Sequence, residues 1–147
     1  RAQGRAADGE RFLEQALRVA PDSAEALHAL GLLRVRQGRR AEAVDLLRRA
    51  AAAQPDSVRF SYVYAVALQS TGDAARAIRV LAEAHRRRPA DREVLMALAT
   101  FLAERGDAKA ALGYAEKLVV LAPDDPQARG LVESLRRQVD RGKPPSR

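Results

Sequence analysis

Cysteine is absent from this sequence. That excludes disulfides, thiolate metal sites, a cysteine nucleophile and covalent attachment of haem, while cytoplasm and periplasm both stay compatible with such a chain. Tryptophan is also missing and aromatic residues make up only 4% of the 147 positions, so a β-sandwich, which draws on aromatic and β-branched residues, is disfavoured. No apolar run approaches the length of a bilayer span, and the stretch from Arg1 to Gly9 is too polar for a signal peptide. A phosphate loop is missing as well: Gly4, Gly9 and the later glycines have no Lys-Ser/Thr pair beside them and read as turn or helix-end residues. What is abundant is alanine, within a composition 47% hydrophobic and 31% charged. Those values belong to a globular chain able to remove roughly two thirds of its unfolded surface from water, built from closely packed helices.

The prolines reveal how these helices are organised. Pro21, Pro55, Pro89 and Pro123 are equally spaced, and Gly4, Gly38, Gly72 and Gly106 run at the same interval. Two rows of small residues keep this register, Gly31, Ala65 and Ala99 in one and Ala43, Ala77 and Ala111 in the other. Four rows in step make a true internal repeat rather than an accident of alanine content.

Each period reads as a helical hairpin. Leu27, Leu30, Gly31 and Leu33 recur at helical spacing between Ala24 and Gln37, and Gly38 ends that helix. Ala43, Val44, Leu46, Leu47 and Ala50 repeat the pattern until Pro55 stops it, since proline lacks the amide donor and restricts the residue before it. Capping residues follow every repeat proline: Asp22 and Ser23, Asp56 and Ser57, Asp91, then Asp124 and Asp125. Asp22 and Glu25 have capping-box spacing, and Pro126 suits a first helical position behind Asp125. Ala50 and Ala84 are small where the next hairpin docks, whereas Leu118 at the third equivalent position implies a different contact with the last helix.

With these residues the chain resembles a tetratricopeptide repeat array, whose unit length the proline interval reproduces. Counting Ala24 as position 1, the full repeats are 24–57, 58–91 and 92–125; a half repeat over 5–20 precedes them, a capping helix over 126–140 closes a single array of 1–140, and 141–147 forms a flexible tail. The fold implied is an all-α, right-handed α-solenoid of antiparallel helix hairpins with about eight helices. Position 8 is Gly31, Ala65 and Ala99, and position 24 is Leu47, Leu81 and Ala115. The departures are Arg34 at the often aromatic position 11, and the lack of tryptophan at position 4. Bacterial arrays of this type resemble accessory modules of larger proteins, so the chain reads as such a fragment.

The resemblance also implies where a partner binds, because members of this family hold peptides on a concave wall of first helices. Positions 2, 5, 9, 12 and 13 would line it. The candidate partner-binding residues are His28, Leu32 and Arg36 in the first repeat, Arg59, Tyr62, Val66 and Gln69 in the second, and Met96 and Thr100 in the third. Tyr62 and Met96 are the expected anchors, one for its low ordering cost and the other for its adaptable shape. The same side chains also suit packing between neighbouring first helices. His28 and Leu32 do not match the lysine and asparagine with which some tetratricopeptide domains clamp a terminal carboxylate, so that mode is not expected.

Nothing in the sequence carries catalysis: neither His28 nor His85 has a spaced companion for metal binding or a triad. The expectation is therefore a non-enzymatic protein-interaction scaffold without cofactor or metal, taking a protein or peptide of unknown identity. The net charge of +7 is carried mostly by arginine, with lysine only at Lys109, Lys117 and Lys143, but acidic residues are interspersed and stacking aromatics are few. Nucleic acid and other polyanions are thus weaker partners than protein, and membrane insertion is not expected. A further alternative is structural: a helix over 5–20 with no preceding helix would leave Phe12, Leu13 and Leu17 open, to be covered by an upstream domain or by a second copy in a homodimer.

Overall fold

A computed structural model describes residues 2–146; Arg1 and Arg147, the outermost residues of the expected array and tail, lie outside the described residues. Eight helices follow one another: α1 (Ala2–Val19), α2 (Ala24–Arg36), α3 (Arg40–Ala53), α4 (Val58–Ser70), α5 (Ala74–Arg87), α6 (Arg92–Glu104), α7 (Ala108–Leu121) and α8 (Pro126–Arg141). Among the described residues there is no strand.

Two kinds of turn alternate, and each follows from its residue type. Within a hairpin the chain reverses at Gly38, Gly72 and Gly106, with φ of 74°, 92° and 86°. A glycine there lets the next amide reach back past a full helical turn: Arg39 N–H donates to the Arg34 carbonyl at 2.9 Å, and Asp73 and Asp107 do the same to Leu68 and Leu102. This closes the helix end and satisfies carbonyls that would otherwise be orphaned. Between hairpins the proline turns deliver a capping side chain. Ser23, Ser57, Asp91 and Asp125 accept from the backbone amides of Ala26, Phe60, Val94 and Gln127, and Pro126 takes the first helical position of α8.

Two local expectations are corrected. The N-cap of α2 is Ser23, so Asp22 and Glu25 form no capping box, and Glu25 is spent elsewhere. Gly4 and Gly9 are neither turns nor helix ends but lie inside α1, as Gly113 and Gly130 lie inside α7 and α8. Glycine costs about 1 kcal/mol against alanine in a helix interior, and the good helix formers around Gly4 and Gly9 offset that; Gly38, Gly72 and Gly106 mark turns at positive φ, and Gly142 ends α8 at a φ of −80°.

The chain forms two compact units, Arg1–Val80 and Leu81–Arg147, with the boundary inside α5. In unit 1, Leu27, Leu30, Leu33, Leu46 and Ala50 make a buried cluster on which Leu13 and Leu17 of α1 pack. Gly31 sets the approach of α2 to α3, because a Cβ added there would stand 2.8 Å from the Leu47 side chain. In unit 2, Leu95, Leu118 and Ala128 form a second cluster with Met96, Tyr114 and Val119 against it. Leu118 therefore packs with alanine on the last helix, which is the different contact its bulk implied.

Candidate functional site

In unit 1 the first helices α2 and α4 lie side by side. Glu25 and Arg59, at the same position of successive repeats, are joined by bonds of 3.1 and 3.2 Å from one guanidinium nitrogen to both carboxylate oxygens. The pair is solvent-exposed, so it contributes on the order of 0–1 kcal/mol and serves mainly to orient charge. Next to this pair, the rings of His28 and Phe60 pack with centroids 4.7 Å apart and planes tilted by 35°, and the Arg59 guanidinium lies 4.7 Å from the centre of the same Phe60 ring.

This packing decides which predicted residues face solvent. His28 is 4% exposed, so it sits beneath the surface rather than on it. Tyr62 at 37% and Val66 at 39%, one helical turn apart on α4, stay open, as does Val35 at 48% on α2. Arg36 and Arg59 are exposed, while Leu32 and Gln69 are half-buried. Unit 1 therefore presents an apolar strip of Leu32, Val35, Tyr62 and Val66 with cations at its ends. In unit 2, Met96 and Thr100 are half-buried on α6, and Met96 packs against Leu95, Leu118 and Ala128. The adaptable side chain expected as an anchor is engaged with its own core.

The two histidines make stability depend on pH. Burial pushes the His28 imidazole below its ordinary value of 6.5 and the positive charge of Arg59 adds to this, with Glu25 pulling the other way. His85, set edge-on to Tyr114, is lowered too, by burial first and then by Lys117. The Nδ1 atoms of both rings are buried without a hydrogen-bond partner among the described residues. Both rings are neutral in the folded and unfolded chain above the unfolded value. Below it the unfolded chain takes up protons that the folded chain refuses, so stability falls with falling pH until the lowered folded values are passed. The unfolding midpoint is expected to drop between about pH 7.5 and about pH 5.5, and His28→Asn with His85→Asn should flatten the profile; an unchanged slope in the double variant would contradict this account.

On α1 the three apolar candidates part company. Leu13 and Leu17 pack on the unit 1 cluster, whereas Phe12 is 71% exposed on the outer side. The repeat register carries this signal: Leu13 falls at position 24, shared by the buried Leu47 and Leu81.

One constellation is absent from the sequence-based candidates. Arg34, only 6% exposed, meets Glu10 and Glu14 of α1, Gln37 at the end of α2 and Glu42 of α3. The contacts to Glu14 and Glu42 are both 3.1 Å. Burial works against the guanidinium charge, but the hydrogen-bonded carboxylates outweigh it and raise the Arg34 pKa above its ordinary value. Glu10 is correspondingly lowered, first by its hydrogen bond from Arg34. The only trace in the sequence is the misfit itself, an arginine at position 11 where Leu68 and Leu102 stand in the next repeats. Among the described residues no group of three His, Cys, Asp or Glu side chains could hold a metal ion, and no helix is long and apolar enough to cross a membrane.

Residues 10–128 match the family described as the cytochrome c-type biogenesis protein H TPR domain. The chain belongs to that family. No curated protein sequence matches the chain. Solved structures share the fold of this TPR domain. MamA is 19% identical with a TM-score of 0.75, the match covering 96% of this chain and 86% of that one. A tetratricopeptide repeat protein from Parabacteroides merdae ATCC 43184 is 19% identical with a TM-score of 0.79; 95% of this chain is covered but only 57% of that protein. The first TPR of Spaghetti (RPAP3), solved bound to the HSP90 peptide SRMEEVD, is 17% identical with a TM-score of 0.68, covering 80% and 93% of the two chains. The cytochrome c-type biogenesis TPR domain is thus an all-α, TPR-like solenoid, a fold that is generally a non-catalytic module for protein–protein interaction.

Proposed function

We propose that this chain is a non-enzymatic interaction module of cytochrome c-type biogenesis, holding a polypeptide partner on the exposed face of its first helices. The observation that carries the reading is on α4: Phe60, Tyr64, Ala65, Ala67 and Leu68 are buried, yet Tyr62 and Val66 of the same helix stay in water one turn apart. An exposed tyrosine beside aliphatic side chains gains by desolvation when a partner covers it, at small ordering cost. The Glu25–Arg59 pair and Arg36 would set the partner's orientation. The family description supplies the biological setting, and the peptide complex of the structurally similar Spaghetti domain supports the type of ligand. Tyr62→Ala combined with Val66→Glu is expected to weaken capture of polypeptides involved in c-type cytochrome biogenesis by at least about tenfold while leaving helical circular dichroism intact. Capture unchanged by this pair would remove the face from the account.

A structural role has one observation in its favour, since Phe12 and Val19, two turns apart on α1, are both largely exposed. A second copy covering them would make sedimentation concentration-dependent, and Phe12→Ser would abolish that dependence. The arginines favour polyanion binding less, because Arg48, Arg76 and Arg86 each pair with an acidic residue three positions away.

A further inference from the structure

We infer that unit 1 carries a specificity pocket beside its apolar strip, which receives one branched aliphatic side chain of a bound peptide and reads a neighbouring carboxylate of that peptide through Arg40. The inference deepens the proposed role of the first-helix face and rests on it. The cavity has a volume of about 220 Å³ and lies where the turn from α2 to α3 meets the end of α4. That is below the roughly 300–1,000 Å³ of pockets that enclose a whole small-molecule ligand, and it suits a single side chain. Its apolar wall is formed by Val35, Ala43, Val44 and Ala67. Val35 belongs both to this wall and to the exposed strip, so a peptide lying along the strip passes the mouth of the cavity.

The polar wall specifies what accompanies the aliphatic group. The Ser70 hydroxyl donates to the Ala67 carbonyl at 2.8 Å and the Thr71 hydroxyl to the Leu68 carbonyl at 2.9 Å. With their protons committed to the helix end, both oxygens face a ligand as acceptors, fit for a peptide N–H. Arg40 is the cation on the pocket wall. It is exposed and, among the described residues, has no ion pair, whereas neighbouring Arg39 is engaged by Glu42 and Glu10. A guanidinium left unpaired beside an apolar hollow complements an acidic rather than a basic segment. In register the combination occurs once: one repeat further on, Ala74, Phe101 and Glu104 stand in place of Arg40, Ala67 and Ser70.

The test is selection of displayed random peptides on the whole chain, followed by titration of the selected peptide. Wild type is expected to enrich peptides with Leu, Ile or Val and, within about four residues of it, Asp or Glu. Ala67→Phe, which places in the pocket wall the side chain found at the equivalent position one repeat later, should abolish the aliphatic preference. Arg40→Glu, at an exposed site that leaves the fold intact, should weaken the selected peptide at least about tenfold and shift selection toward Lys or Arg. Peptides lost with Tyr62→Ala but indifferent to both pocket variants would overturn the pocket and leave the face standing. Absence of any enrichment would overturn both.

Discussion

Replacing Phe60 by alanine is expected to cost about 3–5 kcal/mol of unfolding free energy, the range for a large aromatic removed from a packed core. Phe60 is among the largest side chains that are fully buried. Its ring closes the space between α2 and α4, with His28 packed on one flank and the Arg59 guanidinium close to it. The variant opens a hole next to a histidine whose nitrogen already has no partner, so water enters and the His28 pKa climbs back toward its ordinary value. Two readouts should therefore move together: the midpoint of urea unfolding falls, and the acid-side loss of stability becomes shallower. Phe60→Leu keeps most of the volume and should lose under about 1.5 kcal/mol. An alanine variant as stable as that leucine variant would mean the ring is not what holds the two helices in contact.

Arg34→Ala should cost about 2–3 kcal/mol, between the 0–1 of exposed ion pairs and the 3–5 of fully buried ones. The guanidinium is nearly enclosed, but the Glu14 and Glu42 side chains are 40% and 51% exposed and can take up water once it is gone. Arg34→Leu should lose less, about 1–2 kcal/mol, because it refills the volume that leucine occupies at Leu68 and Leu102 but still leaves Glu10, Glu14 and Glu42 close together without their cation. Hydrogen exchange discriminates further: in the alanine variant the amides of α1 should lose protection first, since Glu10 and Glu14 tie that helix to α2. A leucine variant as unstable as the alanine one would show that the charge matters for more than filling space.

Much of the fold was legible because the repeat rows name their own physics. Positive φ at Gly38, Gly72 and Gly106 and caps at Ser23, Ser57, Asp91 and Asp125 are local demands, answered by local residue choice. The limits of α1 were less legible, since Gly4 and Gly9 carry the same letter as the turn glycines but sit among alanines that hold the helix. The candidate site was legible only as a register. Tyr62 and Val66 are open as that register implies, but His28 shares the position of Tyr62 and is hidden because a phenylalanine happens to lie across it. Met96 shares it too and is drawn into the core by Leu118 and Ala128. Which member of an equivalent set is free depends on neighbours far away in sequence, and a periodic pattern holds no record of them. Arg34 shows the same limit, as its partners Glu10 and Glu14 lie 24 and 20 residues away.

The arginine at that joint also specifies which helix can precede the first full repeat. Positions corresponding to Glu10 and Glu14 are held by Val44 and Arg48 in the following hairpin, and by Ile78 and Ala82 in the one after. Were the first full repeat duplicated or shuffled into the interior, its arginine would face an aliphatic side chain and either a like charge or an alanine in place of Glu10 and Glu14, and would keep only Gln37 and Glu42 of its own repeat. Units that look interchangeable by length and periodicity are therefore not modular at this seam. Recombination could lengthen the series beyond the second unit far more readily than it could move the first.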